Sequence, residues 1–479
     1  MDRMKEEHKK SIREISPIDV YKLLPRTNCA ECGEANCMAF ATKVVNGEAF
    51  IEGCPPVLTK NYEKDLLKLQ ELLAPPVRVI HFGTGNNQLK IGGKHVLYRH
   101  EFTYQNPPPI AIDISDDMEN EQIAIRIKKV QDFSYTYIGR PLSLDALAVR
   151  SVTQNPYRYT EVIQHICELC NLPLILCSTD PNIIKAGLSA CAERKPLIFA
   201  ITKENWKEMG ELVLDTGCPV VVSAPGDLSL LRTLVRTLQE WGIVDMVLDP
   251  GTFHSDQIGQ TIHLFTALRK AAVKNFDSLS GYPILGTPIS VWNGPELSDD
   301  LNHWQEAYLT SMLITRYADL LIMHSIEGWA LLPQLIWRFG IYTDPRKPVS
   351  VDAGVRTFGN PDKTSPVLIT SNYALTFFTV ESDIKAAKID CYLIVIDTGG
   401  LSVEAAVAGR YLTAAKIAES LKEWKADTLV SHKNLIIPGL AARLSGETEE
   451  ETGWRVLVGP RDSSGIGQMI RECWPPADE

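Results

Sequence analysis

The chain has 479 residues, of which 48 are Lys or Arg and 59 are Asp or Glu, so its formal net charge at pH 7 is −11. This acidic balance, without a cluster of Lys and Arg, argues against a nucleic-acid partner, because phosphate binding needs a basic face. No apolar stretch is long enough to span a bilayer, and no apolar signal segment follows the charged residues 1–10. We therefore expect a soluble, cytoplasmic protein of two or three domains with no membrane partner.

A short helix and a second amphipathic helix are predicted near the N-terminus. Ser16 and Pro17 have the residue types of an N-cap and a first helical position. Residues 38–45 are typical of a short amphipathic helix, and Gly47 is placed to end it.

Four cysteines in the same region form the most informative motif of the chain. The spacing C-x2-C-x4-C-x16-C-P is made by Cys29, Cys32, Cys37 and Cys54. Four thiolates are what a 4Fe-4S cube needs, one for each iron. A zinc site usually pairs two C-x2-C knuckles, and this segment has one, so the spacing favours a 4Fe-4S cluster over zinc. An oxygen-sensitive cluster in a chain of 11 cysteines indicates a reducing compartment and anaerobic metabolism.

Two consecutive prolines predict where the cluster module ends. We assign residues 1–60 to a 4Fe-4S cluster domain and residues 61–76 to a linker, because a charged helical stretch leads there into Ala74-Pro75-Pro76, which cannot continue a helix. The sequence thus predicts a tethered cluster module. Residues 77–104 are then typical of a hairpin, with a turn at Gly92-Gly93. Gly83-x-Gly85 lacks the third glycine of a dinucleotide fingerprint and is predicted to be a turn.

Eight short apolar runs, each followed by an amphipathic helical segment, come next. They are residues 110–114, 144–149, 172–177, 196–201, 219–223, 245–248, 282–285 and 320–323. This alternation predicts a (β/α)8 barrel of the TIM type over residues 77–340. A doubly wound parallel sheet is the alternative architecture, since a count of strands does not show closure.

Polar side chains gather just after these predicted strands, where a barrel has its catalytic rim. They are Asp113, Asp116, Asp117, Ser178, Asp180, Asp227, Asp249, His324 and Glu327. Asp180 and Asp227 are better explained as N-caps of the helices that follow them. His324 is the strongest functional candidate of the set, although a single histidine at a strand end is more often a structural group.

The strand pattern starts again after Asp344-Pro345 and predicts a second α/β domain over residues 341–479 of the size of a Rossmann-like module. Its predicted strands are residues 348–351, 366–370, 392–396, 435–437 and 455–458, and its predicted helices are residues 403–409, 413–424 and 467–473. Glycine and small hydroxyl residues crowd the ends of these strands. Such ends either bind a ligand through backbone amides or are ordinary β-to-α turns, and composition alone leaves both open.

Several segments together resemble a known family. The cluster loop around Cys29, Cys32, Cys37 and Cys54 resembles the N-terminus of the corrinoid iron-sulfur protein large subunit, the gamma subunit of acetyl-CoA decarbonylase/synthase. The cluster motif alone is also similar to that of iron-sulfur electron-transfer proteins. Further resemblance to the corrinoid family lies in residues 341–345, 370–376, 397–402 and 437–439, so it covers nearly the whole chain.

The resemblance implies a corrinoid- and 4Fe-4S-containing methyl carrier. Such a protein accepts a methyl group from a methyl-tetrahydropterin on Co(I) and passes it to the nickel site of acetyl-CoA synthase. The cluster returns an electron when the cobalt is oxidised to Co(II). The implied partners are the small subunit of the corrinoid iron-sulfur protein, in a heterodimer, the acetyl-CoA synthase/CO dehydrogenase subunits and a pterin methyltransferase.

The resemblance also implies that the C-terminal domain binds the corrinoid. The residues expected to contact the corrinoid are Thr364, Thr370, Ser371, Asn372, Thr376, Asp397, Thr398, Gly399, Leu401, Pro438, Gly439, Gly459 and Pro460. Thr370 and Thr398 are the first candidates for contacts near the corrin, whereas Gly459, Pro460 and Gly465 are candidates for holding the nucleotide tail. No protein residue is expected to act as catalyst, because cobalt carries the methyl group.

The cobalamin signature D-x-H-x-x-G is absent from this sequence. His254 comes nearest to it, but Thr252 stands where the aspartate belongs. We expect a corrinoid without a histidine ligand from the protein, which favours Co(I). Two alternatives remain open: an electron-transfer adaptor with a cluster and no cobalt, or a pterin-dependent methyltransferase whose barrel uses Asp113, Asp116 and Asp249.

Overall fold

The computed structural model describes residues 11–294 and 298–475. The chain divides into two compact units, one of Met1–Tyr135 and Pro141–Thr343 and the other of Thr136–Arg140 and Asp344–Glu479. No α-helix in those described ranges has the length and apolar content that crossing a membrane requires.

Three helices form the N-terminal part of the first unit. They are α1 (Pro17–Leu23), α2 (Cys37–Asn46) and α3 (Glu63–Leu73). The predicted cap of α1 is confirmed, since the Ser16 hydroxyl accepts a hydrogen bond from the backbone N–H of Asp19 and the Asp19 carboxylate accepts one from the backbone N–H of Ser16. Gly47 ends α2 in the left-handed conformation, as its position predicted.

The predicted linker contains packed structure. Leu69 of α3 is fully buried in an apolar core that also contains Phe40 of α2 and Phe102, which follows in the chain. Ile341 and Tyr342, from the end of the first unit, pack against the same core. Helix α3 therefore has a charged face toward solvent and an apolar stripe toward the core. The stripe packs the helix against its neighbours, so this part of the predicted linker is ordered.

The predicted hairpin is confirmed, but its turn lies elsewhere. Strands β1 (Val79–Phe82) and β2 (Leu89–Gly92) pair antiparallel. The connection between them begins at Gly83, which adopts a positive φ of 81°, so Gly83-x-Gly85 is part of the turn. Gly92-Gly93 follows at the end of β2, so the turn predicted there is wrong.

The barrel begins with β3 (Ile110–Ser115), and a separate small sheet is formed by β4 (Ser134–Tyr137) and β5 (Arg140–Ser143). Seven more strands of the barrel follow: β6 (Ala146–Arg150), β7 (Leu174–Cys177), β8 (Leu197–Ile201), β9 (Val220–Ser223), β10 (Met246–Asp249), β11 (Leu285–Gly286) and β12 (Leu320–Met323). All eight predicted strands are confirmed, although β11 is shorter than expected. Neighbouring strands are parallel, β12 pairs with β3, and an isolated bridge from Leu248 to Ile284 joins β10 to the residue before β11, so the sheet forms a nearly closed, TIM-like barrel.

One helix follows each strand of the barrel. These helices are α4 (Asn120–Asp132), α5 (Pro156–Leu169), α6 (Pro181–Cys191), α7 (Trp206–Thr216), α8 (Leu228–Glu240), α9 (Ile258–Asn275), α10 (Asp299–Thr315) and α11 (Gly328–Ile341). Asp180 and Asp227 accept hydrogen bonds from the first backbone N–H groups of α6 and α8. Both are therefore N-caps, as predicted.

The second unit contains a five-stranded sheet with helices around it. Its strands are β13 (Gly354–Phe358), β14 (Val367–Ser371), β15 (Cys391–Ile396), β16 (Asn434–Ile437) and β17 (Arg455–Val458), in the order β13-β15-β14-β16-β17. Its helices are α12 (Ala374–Ala387), α13 (Val403–Ala408), α14 (Ala414–Glu423), α15 (Ala426–Leu429), α16 (Ser445–Thr452) and α17 (Ile466–Cys473). Strands β14 to β17 are parallel, and β13 runs antiparallel to β15.

One predicted strand of this unit is wrong and one was missed. Residues 348–351 form a single bridge, between Ser350 and Tyr373, instead of a strand. The edge position is taken by β13, whose glycine-led sequence gave a weaker strand pattern. Helix α12 was also missed, because its aromatic and β-branched residues are weak helix formers that tertiary packing holds in place.

Candidate cofactor sites

The first three cluster cysteines lie on a tightly coiled loop that ends in α2. Asn28, Ala30 and Gly33 have positive φ angles, which bend the backbone between the cysteines. The side chain of Asn28 accepts a hydrogen bond of 3.0 Å from the backbone N–H of Cys37, the first residue of α2. The loop is thereby closed back on the helix, with Cys29 exposed and Cys37 buried.

The fourth cysteine is brought to this loop by a separate turn. Cys54 and Cys37 are both buried in the core of the N-terminal part, and Cys32 packs against that core. Burial raises the pKa of the Cys54 thiol, a hydrogen bond from the Val57 backbone opposes the increase, and the charges of Cys32, Cys37 and Cys29 add to it. Cys54 therefore lies within electrostatic reach of the other three predicted cysteines.

Four thiols, three from one loop and one from a separate turn, are the ligand set that a four-iron cube needs. Such a cube binds each cysteine to a different iron, so its ligands stand farther apart than those of one zinc ion. Within the part of the chain that the structure describes, no three Cys, His, Asp or Glu side chains converge on a point that can hold a single metal ion. The residues that would hold a cluster are Cys29, Cys32, Cys37 and Cys54.

Most of the predicted corrinoid contacts lie at the carboxyl edge of the sheet in the second unit. Thr370, Ser371 and Asn372 are at or beyond the end of β14, and Asp397 and Thr398 follow β15. Gly399 and Leu401 continue the loop after β15, Pro438 and Gly439 follow β16, and Gly459 and Pro460 follow β17. Thr364 is the exception, because it precedes β14 and so belongs to the opposite edge.

Asn372 connects the loop after β15 to the end of β14. Its side-chain oxygen accepts hydrogen bonds from the backbone N–H of Thr398 at 3.0 Å, from the Thr398 hydroxyl at 2.9 Å and from the backbone N–H of Gly400 at 2.9 Å. Its amide nitrogen donates to the Asp397 carboxylate at 2.9 Å. Asn372 and Thr398 therefore use their side chains to hold this loop, and both are buried.

A cavity of about 350 Å³ opens between β14, α12 and the ends of β16 and β17. Five of the predicted contacts line it: Thr370, Thr376, Pro438, Gly459 and Pro460. The hydroxyls of Thr370 and Ser371 are buried and have no hydrogen-bond partner among the described residues. Buried hydroxyls normally form hydrogen bonds. The Thr370 hydroxyl at the cavity wall is therefore available to bind a polar atom of a ligand.

Two loops approach each other closely beside this cavity. The backbone N–H of Gly439 donates a hydrogen bond of 3.1 Å to the carbonyl of Pro460. A Cβ at Gly439 would lie 2.6 Å from the carbonyl oxygen of Gly459, so this approach requires glycine. Sequence reasoning identified these loop residues but missed the wall that α12 supplies through Leu375, Thr379 and Val380.

The polar residues at the mouth of the barrel have protein partners. Asp113 is fully buried, and its carboxylate accepts hydrogen bonds from Arg126, Arg150 and His324 at 2.7 to 2.8 Å. Asp116 accepts four, from the hydroxyls and backbone N–H groups of residues 151–153. Asp249 accepts from the Ser223 hydroxyl and the Gly251 backbone, and burial raises its pKa.

Two histidines bear on the expectation that no histidine of the protein binds cobalt. His254 follows β10 in the first unit, where its Nδ1 lies 3.0 Å from the Ser255 hydroxyl. His432 is the one histidine in residues 344–479. Its Nε2 is 3.0 Å from the Ser365 carbonyl and its Nδ1 accepts from the Asn434 backbone, so both ring nitrogens are engaged.

The chain is similar to curated proteins over nearly its whole length. It is 44% identical over 467 residues to acetyl-CoA decarbonylase/synthase complex subunit gamma 2 of Methanosarcina thermophila, which covers 96% of this chain and 99% of that one. It is 43% identical to the gamma subunit of Methanothermobacter thermautotrophicus, over 95% of this chain and 98% of that one. It is 41% identical to the gamma subunit of Archaeoglobus fulgidus, over 97% of this chain and 99% of that one.

Solved structures of dihydropteroate synthase are also similar to part of the chain. The enzyme of Xanthomonas albilineans with 4-aminobenzoic acid is 15% identical with a TM-score of 0.39, over 56% of this chain and 99% of that one. The enzyme of Thermus thermophilus is 15% identical with a TM-score of 0.36, over 55% of this chain and 99% of that one. At these TM-scores the likeness carries no argument about ligand or function.

Two family models match the chain. One whose description names an Fe-S cluster matches residues 24–56, which contain all four cluster cysteines. The model described as the CO dehydrogenase/acetyl-CoA synthase delta subunit matches residues 79–470, far more than half of the chain. With the full-length similarity to the gamma subunits, these matches show that the chain belongs to the family of acetyl-CoA decarbonylase/synthase complex gamma subunits.

Proposed function

We propose that this protein is the corrinoid-containing methyl carrier of its complex. In this function it takes a methyl group from a methyl-tetrahydropterin and passes it to the nickel site of acetyl-CoA synthase, so that it acts as a methyltransferase component. The single observation that carries the proposal is the cavity at the carboxyl edge of the second unit, with the unpartnered hydroxyl of Thr370 at its wall. Open α/β sheets bind ligands at this edge, where the strand order reverses beside β14.

The proposed corrinoid site is of the Rossmann-like kind. The cavity accepts the nucleotide tail, with Thr370 and Thr376 on one side and Gly459 and Pro460 on the other. Asn372 and Thr398 hold the neighbouring loop, whose backbone N–H groups at Thr398, Gly399 and Gly400 are paired within the protein, so that this loop shapes one edge of the site. When bound, the corrinoid supplies a cobalt nucleophile, and the absence of a nearby unengaged histidine in the described part of the second unit suits its low-valent state.

The proposed role of the N-terminal part is reduction. Cys29, Cys32, Cys37 and Cys54 bind a 4Fe-4S cluster, which returns an electron to cobalt that has been oxidised. Cys29 is exposed, so this side of the cluster loop faces solvent, where a redox partner can approach. The proposed partners are the small subunit, in a heterodimer, the CO dehydrogenase/acetyl-CoA synthase subunits and a pterin methyltransferase.

The proposal is tested by metal analysis of protein purified anaerobically with its small partner subunit. Iron, cobalt and the visible spectrum are measured before and after a low-potential reductant is added. About four irons and one cobalt per chain, with a Co(I) band after reduction, support the proposal. Four irons without cobalt, even after reconstitution with a cobamide, would show an electron-transfer protein instead.

A pair of threonine variants tests the site itself. Thr370→Val removes the unpartnered hydroxyl and keeps the shape of the side chain, so we expect lower cobalt content after reconstitution. Thr357→Val, on an exposed face of β13, is the control and should bind cobalt as the parent does. Equal cobalt in both variants would exclude a role of Thr370 in the site.

A further inference from the structure

The barrel is weakly paired at one place, around its shortest strand. Strand β11 consists of Leu285 and Gly286 alone, and a single isolated bridge from Ile284 to Leu248 joins it to β10. Neighbouring strands elsewhere in the barrel pair over at least three residues. We call residues 281–286 the barrel seam. Because few backbone hydrogen bonds hold the seam, the sheet is expected to open there first.

Asp319, the residue before β12, holds the seam. Its carboxylate accepts a hydrogen bond of 2.9 Å from the backbone N–H of Ile284, and its own backbone N–H donates to the Ile284 carbonyl at 2.7 Å. Nη2 of Arg269, on α9, also donates to this carboxylate. Asp319 is fully buried, so its position is fixed by these partners and by its place next to β12. The pairing of the seam therefore depends on where Asp319 is held.

Lys94 joins Asp319 to the core of the N-terminal helices. Lys94 follows β2 and is buried, and its Nζ is 2.6 Å from Oδ1 of Asp319. The same ammonium group lies 5.4 Å from the ring centroids of Tyr104 and of Tyr342, close enough for a cation–π attraction. Tyr104 belongs to the core that contains two of the predicted cluster cysteines, and Tyr342 packs against that core. Lys94 therefore contacts both the N-terminal core and the support of the seam.

The charges of this buried network do not balance. Lys94 and Arg269 are two cations, and Asp319 is the anion between them. Burial lowers the pKa of Lys94 to about 8, although the charge of Asp319 opposes the decrease. Burial by itself raises the pKa of Asp319, but the charges of Arg269 and Lys94 outweigh it and lower the pKa. All three groups are therefore charged at pH 7, and the position of Lys94 depends on the two tyrosine rings that attract its charge.

A second contact joins the seam to the segment that follows α3. The backbone N–H of Arg78 donates to the Gly281 carbonyl at 3.0 Å, and the Arg78 guanidinium lies 4.9 Å from the centroid of the Tyr282 ring. A Cβ at Gly281 would be 2.6 Å from the carbonyl oxygen of Pro76, so the two segments pass in close contact. Helix α3, whose Leu69 is buried in the N-terminal core, precedes this segment directly. The N-terminal core thus reaches the seam by two routes.

We propose that occupation of the four cluster cysteines controls whether the barrel seam stays paired. This inference rests on the proposed function, in which these cysteines bind a 4Fe-4S cluster. A bound cluster connects the cysteine loop to the separate turn, so it stabilises the core on which Tyr104 and Tyr342 lie. Through Lys94 and Asp319 the ordered core keeps β11 paired with its neighbours. Without the cluster the core loosens, Lys94 loses its position, and the seam opens more often.

The coupling is tested by hydrogen exchange of the full chain, first loaded with iron and sulfide and then after their removal by a chelator. The amides of residues 281–286 should exchange about tenfold faster without the cluster, as expected when a local opening no longer breaks one buried contact. Strand β7, which is four strands away from β11 in either direction, is the internal control and should be unaffected. Equal seam exchange in both states, or an equal acceleration in β7, overturns the proposal.

A lysine variant tests the route of the coupling. Lys94→Met removes the ammonium group and leaves Asp319 paired with Arg269 and with the Ile284 backbone. With the cluster bound, its seam should already exchange about tenfold faster than that of the parent, and removal of iron should add little. Lys90→Met, at an exposed position of β2, is the control and should respond as the parent does. A full response of Lys94→Met to iron removal contradicts the role of Lys94.

Iron analysis of the same samples separates the two levels of the proposal. A parent chain that takes up no iron refutes the cluster assignment and with it the proposed function of the N-terminal part. A loaded chain whose seam does not respond to removal of iron refutes the coupling alone.

Discussion

Oδ1 of Asn372 accepts hydrogen bonds from both the backbone N–H and the hydroxyl of Thr398, at 3.0 and 2.9 Å. One amide side chain thus holds the loop after β15 against the end of β14. Their geometry makes both residues supports of the loop after β15, and the contact of either residue with a corrinoid stays a prediction.

Replacement of Asn372 should therefore destabilise the second unit. Asn372→Ala removes several buried hydrogen bonds, and we expect the free energy of unfolding to fall by about 2 to 4 kcal/mol. Urea unfolding, together with the cobalt content after reconstitution, measures both effects. Asn360→Ala, at an exposed position of the same unit, is the control. Parent-like stability of the Asn372 variant would show that the loop is held by other contacts.

The cysteine assignment predicts a selective loss of iron. Serine in place of Cys29, Cys32, Cys37 or Cys54 removes one of four cluster ligands, so iron and acid-labile sulfide should drop by at least about half. Cys473→Ser changes an exposed cysteine outside the loop and should keep the full content. If Cys54→Ser retained all of its iron, the fourth ligand would have to be another residue.

A partly exposed histidine, His95, predicts acid sensitivity of the first unit. Burial lowers the pKa of His95 from 6.5 to about 4. Between these values the unfolded chain binds a proton that the folded chain does not, so stability falls as pH decreases from 6.5 to 4, by up to about 3 kcal/mol. Urea unfolding at several pH values should show a flatter profile for His95→Gln than for the parent. His81→Gln, which changes an exposed histidine, should leave the slope unaltered.

Alanine substitution should destabilise the protein more at Gly47, the cap of α2, than at Gly242. Gly47 has a φ of 74°, and a Cβ there would lie 2.7 Å from Cζ of Phe102. Gly242 has a φ of 91° with no atom within 4 Å of a Cβ. Alanine at Gly242 should cost about 1 kcal/mol through its backbone conformation, and alanine at Gly47 should cost about 1 to 2 kcal/mol more because Phe102 must move. Equal thermal shifts would show that Phe102 yields freely.

The strands were predictable because each signal is local. An apolar run that ends in a polar residue reports a buried strand and the loop after it, and this pattern located all eight strands of the barrel and the cap residues Asp180 and Asp227. Residues 348–351 show the limit of the method. Their alternation resembles a strand, but pairing depends on which neighbour is available, and β13 occupies that place next to β15.

The four cysteines of the predicted cluster site carry a signal of the same local kind, since it depends on spacing within one short segment, and the family model whose description names an Fe-S cluster covers that segment. The barrel mouth was not predictable, because Trp292 and Glu306 carry no motif and reach His324 only because the sheet curls into a barrel. The tight engagement of Asn372 was also invisible in the sequence. An asparagine that follows a strand has the same pattern whether its amide meets a ligand or a loop 26 residues away.

The packing of Tyr342 against the core of the N-terminal helices has a consequence for biosynthesis. The helices that carry Cys37 and frame the cluster loop are made first, yet the core on which they rest is completed by residues near position 341. A nascent chain therefore cannot complete that core until the whole barrel has left the ribosome. A cluster delivered to a chain that is still being synthesised would meet an incomplete binding site. Insertion of iron and sulfide is therefore expected to follow the folding of the barrel.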